Sequence, residues 1–341
     1  MSARATASRV LAAGAASSAL AVAALYAPSA HAQSTDNVWM PPTTTTTFAT
    51  PWGEPDLRGK WPIGHLTGTP LQRPVEMGER EYLTDEEYEQ QASRLAAQAA
   101  RYENEESEGK MGMGHWAETG LPSRRTSLIV DPPDGRIPAL TEEGQRVSDA
   151  LRSSWHDITW NWVTDFDTWD RCITRGMPAS MLPFMYNNGV EIFQAPGLVA
   201  LNMEMVHETR LIPTDGREGV PSSILQWLGV SRGHWEGGTL VVETTNIRPG
   251  ETATNQRPDL WPVGPTTRIV ERFTRTGPAS MDYEMTFEDP VLYTASWTVK
   301  APWRLDPEYG MYEYACHEGQ YMIRDYINAS RAAQAQDGAG Q

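Results

Sequence analysis

The chain has 341 residues and a formal net charge of −16, with 44 acidic residues against 28 lysines and arginines. So large an acidic excess argues against nucleic acid or an anionic membrane surface as partner. The length suits one large domain or two small ones, and either can bury a full core.

The first 32 residues read as a secretory signal. Arg4 and Arg9 supply the positive start, VLAAGAASSALAVAALY (10–26) a small-residue apolar core, and Ala30-His31-Ala32 a cleavage site with the mature start near Gln33. The apolar run is shorter and more diluted by Ala and Ser than an anchor of about 20 residues requires, and no later stretch is apolar enough to span a bilayer. An exported, periplasmic protein without an integral membrane segment is expected, and the lack of a twin-arginine pair points to the general secretory route.

Residues 33–56 are rich in Thr, Pro and Ser and read as an extended arm. Residues 57–152 read as loops with two helices. Thr84 and Glu87 form a capping box for the first, with Tyr88, Ala92, Leu95, Ala96 and Ala99 at helical spacing up to Arg101; Thr141 caps a second, reaching about Arg152. From about residue 190 the period changes to two. EIFQAPGLVALNMEMVHETRLI (191–212) reads as two strands around Pro196-Gly197, TLVVETT (239–245) as another, and TRIVERFTR (267–275) with MDYEMTFED (281–289) as a hairpin. ASWTVKAP and MYEYACHE read as further strands. The expected fold is mainly β over 153–330, an antiparallel lipocalin-like barrel or a sandwich, with the N-terminal helices packed outside and a disordered tail over 331–341.

Neither a P-loop nor an HExxH motif occurs, and GHWEGG (233–238) precedes a strand, so it reads as a turn rather than a nucleotide site. Cys172 and Cys316 are the only cysteines. In an oxidising compartment they read most simply as a disulfide; free thiols, a nucleophilic Cys316 and a metal ligand are the alternatives. Alternation places Leu201, Met203, Met205 and His207 on one face and Asn202, Glu204, Glu208 and Arg210 on the other. His207 is a candidate acid or base, or else a core histidine with one hydrogen bond. His317, beside Cys316, is a second candidate, because a bridged cysteine would fix where His317 and Glu318 point.

Arginine is abundant and lysine occurs three times. Arg171, Arg175, Arg210 and Arg232 are candidates for clamping a carboxylate, although genome composition explains the bias equally well. SSWHDITWNWVTDFDTWD (153–170) and the later tryptophans suit a pocket for flat or apolar ligands, a core filling or a sugar platform. A metal held by the His-Glu pairs would need ligands from several strands, since neighbouring strand residues face opposite ways.

RTSLIVDPPDGRIP (125–138), WLGVSRGHWEGGTLVVETTN (227–246), IVERFTR (269–275) and EYACHEGQY (313–321) together resemble a large, mostly uncharacterised family of exported bacterial proteins. The resemblance covers roughly residues 54 to 330. Relatives tend to read GRWEGDTLVV and CHEGNY, where this chain has His234, Gly238 and Gln320. The segments it marks as site material are VHETR, through His207 and Arg210, and CHEGQY, through His317, Glu318 and Tyr321.

The function expected is a cofactor-independent and metal-independent lyase or isomerase acting on a bulky aromatic or terpenoid acid by elimination, hydration or decarboxylation. His207, His317, Arg210, Glu318 and Tyr321 are its candidate catalytic residues; Arg171, Tyr186, Asn187, Trp227, Trp297 and Tyr314 are its candidate substrate-binding residues. The alternatives are a lipocalin-like carrier of an apolar ligand and a metal-dependent hydrolase. Oligomeric state is left open.

Overall fold

The structure is a computed structural model that describes residues 48–156, 158–249 and 261–339. The expected signal peptide and residues 33–47 of the arm lie outside these. Helix α1 (Asp85–Ser107) starts where the capping box places it: Glu87 N–H donates to Thr84 Oγ1 at 3.2 Å and Thr84 N–H to Glu87 Oε2 at 2.8 Å. It continues past Arg101. Helix α2 (Glu142–Ala150) opens on Thr141, whose Oγ1 accepts from Gly144 N–H at 3.0 Å.

Ten strands form two antiparallel sheets among the described residues. Strands β1 (Gly59–Lys60), β3 (Val190–Ala195), β4 (Leu198–Met203) and β5 (Glu208–Pro213) make the smaller one, in the order β1-β3-β4-β5. Strands β2 (Ile129–Asp131), β6 (Val230–Glu236), β7 (Thr239–Thr245), β8 (Arg268–Gly277), β9 (Ser280–Glu288) and β10 (Trp297–Arg304) make the larger, in the order β2-β10-β9-β8-β7-β6. The N-terminal region, expected to lie outside the β-structure, thus adds one edge strand to each sheet.

The expected lipocalin-like barrel does not close. Strands β5 and β6 lie against each other but share no ladder, because the segment between them, TDGREGVPSSILQWLG (214–229), carries Gly216, Gly219 and Pro221 and loops out. The result is two sheets with one shared core. Inward residues alternate along each strand: Ile269, Glu271 and Phe273 on β8; Met281, Tyr283, Met285 and Phe287 on β9; Trp297, Val299, Ala301 and Trp303 on β10. They meet Val190, Ile192, Val199, Leu201 and Ile212 of the smaller sheet in one cluster.

Two segments depart from the expected period. The stretch 191–212 makes three strands, because Met205–His207 form a tight helical turn in which Val206 and His207 take positive φ angles of 58° and 43°. The turn resets the phase: Arg210 and Ile212 point inward from β5 while His207 is exposed. MYEYACHE is no strand. It lies within an irregular strap over residues 305–321, followed by helix α3 (Met322–Ala339), which takes in most of the segment expected to be a disordered tail. No helix among the described residues is long and apolar enough to cross a membrane.

One polar group sits inside the shared core. Arg210, 3 % exposed, donates to both oxygens of Glu271, at 3.0 and 2.5 Å, and to Ser231 Oγ and Thr244 Oγ1, each at 3.1 Å. Tyr283 OH donates to Glu271 Oε1 at 2.9 Å. Truncation of one partner leaves a bare buried charge, so Arg210→Ala should lower stability by about 3–5 kcal/mol in chemical denaturation at neutral pH. The double change Arg210→Met with Glu271→Leu should cost clearly less; an equal loss in both variants would show that the ion pair itself stabilises the fold.

Candidate functional site

The site grows from four segments. Residues 153–175 are knitted by two aspartates: Ser153 Oγ donates to Asp167 Oδ2 at 2.8 Å, Asp170 N–H to Asp167 Oδ1 at 2.7 Å, and Ser154 Oγ to Asp170 Oδ1 at 2.7 Å. Burial and the neighbouring Asp170 push the Asp167 carboxyl up to about 6. This network carries Cys172, at a φ of 56°, to a disulfide with Cys316 whose Cα atoms are 5.6 Å apart. It also sets Thr174 and Arg175 inward, both 2 % exposed or less.

The second segment, 184–189, is shaped by Asn188, whose side chain accepts from Phe184 N–H at 2.7 Å and donates to Phe184 O at 2.7 Å. Gly189 is required here by close approach, since a β-carbon would strike Glu204 Oε2, the Tyr309 ring and Met311 Sδ. The third is the turn at 204–208. Glu204, buried, accepts from Gly189 N–H, Asn187 Nδ2, Tyr312 N–H and Tyr309 OH at 3.0, 3.0, 3.1 and 2.8 Å. Its carboxylate meets one backbone donor of the fourth segment, the strap, at Tyr312 and one side chain, Tyr309. Tyr309 OH also lies 3.3 Å from Glu118 Oε1, and burial raises the Glu118 carboxyl above its ordinary value.

Where these segments meet, ionisable groups converge. His207 Nδ1 lies 2.9 Å from Tyr314 O. A carbonyl only accepts, so Nδ1 carries the proton and neutral His207 presents the lone pair of Nε2. The His317 ring lies 6.2 Å from that of His207, edge to face. Tyr186 stacks on Tyr314 with centroids 6.2 Å apart and also contacts Phe184 and Trp116. Burial, with Tyr314 beside it, raises the Tyr186 hydroxyl well above its ordinary value, so it stays a proton donor at neutral pH.

Glu208 accepts from Ser180 Oγ at 3.2 Å. Burial pushes its carboxyl up to about 7, against the opposing pull of bonds from Thr174, Ser180 and the Arg175 backbone and of the Arg210 charge. Arg175 has Phe184 4.8 Å and Trp169 5.7 Å from its guanidinium carbon and donates from Nη1 to Leu182 O at 3.0 Å, while Nε and Nη2 have no partner among the described residues. Burial lowers it to about 10, and it remains charged at neutral pH. Each unmade buried bond costs about 1–3 kcal/mol. Arg175 lines a cavity of about 10 Å³, with Ser180, Asn187, Asn188, Gly189 and Met205 on its walls. That is room for roughly one water.

Of the residues singled out from sequence, His207, His317, Tyr186, Asn187 and Tyr314 come together here. Arg210 does not: it is locked onto Glu271 in the core. Trp297, 1 % exposed, stacks on Phe287 in the core, Trp227 carries Arg248 over its ring, and Tyr321 is exposed with Arg324 over it. Arg171 donates from Nε to Asp167 O at 3.1 Å, and Glu318 is exposed in the turn after the disulfide. Glu208 has a signal in the His-Glu pair, although alternation puts it on the face opposite Leu201 and Met203, while Glu118, Glu204 and Tyr309 lie far apart in sequence and have no signal that joins them. Among the described residues no three His, Cys, Asp or Glu side chains gather as a metal site would need.

Glu208 and Asp167 both bind protons more tightly folded than at their ordinary values of 4.5 and 3.8. Their stabilisation is complete below about pH 4 and is lost as pH rises through 6 and 7. Wild-type stability in urea should therefore fall by roughly 4 kcal/mol between pH 5 and 8, and Glu208→Gln should flatten the upper part of that curve. A wild-type curve that rises across this window refutes the assignment. Removing the disulfide with Cys172→Ala and Cys316→Ala should cost about 2–4 kcal/mol and speed amide exchange in the strap.

Comparison of the chain with protein-family models, curated proteins and solved structures finds no match.

Proposed function

We propose that this protein is an exported acid–base enzyme, a lyase or isomerase, that acts on an organic acid at the junction of Arg175, Glu208 and the His207–His317 pair. The observation that carries the reading is Glu208. A carboxyl held near neutrality beside a buried, incompletely bonded guanidinium is costly to maintain as mere structure, and carboxyls poised near the working pH are what general acid–base catalysis uses.

In this reading the arginine anchor is Arg175 in place of Arg210 and Arg171. His207 Nε2 takes a proton from the carbon next to the carboxylate or conjugated with it. The electron pair of that C–H bond forms the new double bond. Glu208 gives its proton to a departing hydroxyl, which leaves as water, or returns it to a distant carbon in an isomerisation. Tyr186 and Tyr314, hydrogen-bonded to each other, relay the proton that His207 has taken to Glu208, which has lost one, and so restore the resting state. Elimination, hydration and isomerisation suit an arginine-held carboxylate; loss of that carboxylate as CO₂ does not, because the guanidinium stabilises the charge where decarboxylation must remove it. The disulfide, shown at Cys172–Cys316, agrees with a periplasmic location.

The test is turnover of a panel of aromatic and terpenoid acids by the chelator-treated protein, followed by mass spectrometry. Glu208→Gln and His207→Ala should each lower kcat by 10²-fold or more, and wild-type activity should decline as pH rises through about 7, where Glu208 loses its proton. Undiminished turnover in folded Glu208→Gln sinks this reading, and binding with no turnover in any protein leaves a carrier.

A further inference from the structure

Two carboxyl groups meet at one tyrosine of the strap. Tyr309 OH lies 2.8 Å from Glu204 Oε2 and 3.3 Å from Glu118 Oε1, and a hydroxyl brings a single hydrogen to the two contacts. Burial and the two carboxyls raise the Tyr309 hydroxyl above its ordinary value, so it keeps that hydrogen. Glu204 also accepts from Gly189 N–H, Asn187 Nδ2 and Tyr312 N–H, a donor set that suits an ionised carboxylate, so the tyrosine donates to Glu204. Closing the second contact takes another hydrogen, which the Glu118 carboxyl gains as pH falls. Glu118 is held facing Tyr309: its Oε1 accepts from Asn188 N–H at 3.0 Å, and its Oε2 packs so near Gly64 that a β-carbon there would collide with it. Burial first, and then the Glu204 charge, favour the protonated form over the opposing bonds from Asn188 and Tyr309.

We propose that Glu118, Tyr309 and Glu204 form a proton-operated clasp that holds the strap in place at acidic pH and loosens it as pH rises. With Glu118 protonated, its O–H donates to the Tyr309 hydroxyl oxygen and the tyrosine donates to Glu204, so one chain of hydrogen bonds joins three segments far apart in sequence. With Glu118 ionised, no hydrogen remains for the first link, and two carboxylates face one hydroxyl. Their repulsion then acts on the strap residue between them. The sign follows from the raised Glu118 carboxyl: its stabilisation is complete below its ordinary value of 4.5 and is lost as pH rises through the folded value. The other groups around the strap act differently. Lys60 Nζ donates to the Tyr309 carbonyl at 2.8 Å, and Asp306 and Glu308 on the strap are exposed. His207 holds Tyr314 O through Nδ1, which carries a proton in this neutral tautomer and in the charged ring alike. Arg175 lines the small cavity beside Asn187, Asn188 and Gly189, and Tyr186, Glu208 and Tyr314 are the groups that act on its charge. Because the strap carries Tyr314 and His317, the clasp sets how firmly these two are held beside His207. It is independent of the acid–base reading, since it concerns only how the strap is fastened.

Amide hydrogen exchange of the full, disulfide-bonded chain at pH 5 and pH 8, corrected for the intrinsic pH dependence of exchange, tests this directly. Protection of peptides within residues 305–321 should fall by about 10-fold or more between the two conditions, because the strap exchanges by local opening. In Glu118→Gln, which is neutral at every pH, the two values should agree within about 3-fold. Tyr309→Phe should leave the strap loose at both pH values, and Glu208→Gln should keep the wild-type fall, which separates the clasp from the titration of Glu208. Circular dichroism confirms folding of each variant, and if Glu118→Gln does not fold, Tyr309→Phe decides the matter alone. Equal protection of the wild-type strap at both pH values, a wild-type fall that persists in folded Glu118→Gln or Tyr309→Phe, or its loss in Glu208→Gln overturns the clasp.

Discussion

The Arg210–Glu271 pair is the contact around which the two sheets are arranged. It spans from β5 in the smaller sheet to β8 in the larger, and Ser231, Thr244 and Tyr283 add further hydrogen bonds to it. A carboxylate and a guanidinium withdrawn from water recover most of their lost hydration when each meets the other squarely. Any shift of β5 along its neighbour would part them, so the pair fixes the register of the sheets where no backbone ladder joins them. Aromatic packing of Tyr283, Phe273 and Trp303 then fills the space beside it.

That register has a consequence for the segment just before β5. For Arg210 to face inward opposite Leu201, the chain must change phase between Met203 and Glu208. Val206 and His207 absorb the change in left-handed conformations that a β-branched and an aromatic residue rarely take, at a cost of order 1–3 kcal/mol each. The same bend exposes His207, turns Glu208 toward Ser180 and buries Glu204 where the strap can use it. Geometry that secures the core therefore also gathers the groups of the candidate site.

Two of the three buried arginines among the described residues, Arg175 and Arg210, differ in their partners. Both are nearly inaccessible, at 3 % for Arg210 and 2 % for Arg175. Arg210 has a carboxylate partner and two hydroxyls. Arg175 has one carbonyl, two aromatic neighbours and no ion pair within bonding distance among the described residues. Among the described residues Arg210 keeps one donor, Nε, without a partner and Arg175 keeps two, Nε and Nη2, and the strap fastened by Glu204, His207 and Cys172 lies across the neighbouring surface.

Local signals in the sequence determined the parts whose partners are near in the chain. The Thr84–Glu87 box started α1, Thr141 started α2, and alternation with Gly-rich turns marked β7, β8, β9 and β10, because caps and pleats are set within a few residues. Only the tertiary structure decided the rest. Alternation read across 204–207 put Arg210 outside and His207 inside, and the ion pair to a residue 61 positions away reversed both. The strap looks like a strand by composition, yet its Tyr312 N–H donates to a glutamate more than a hundred residues upstream, and its Tyr314 O lies 2.9 Å from His207 Nδ1. Cys172 and Cys316 suggested their own pairing, whereas only packing shows that Arg175 keeps two buried donors without a partner among the described residues and Arg210 and Arg232 one each. Burial and hydrogen-bond completeness are properties of the assembled interior, and a linear pattern carries periodicity but not the closing of those bonds.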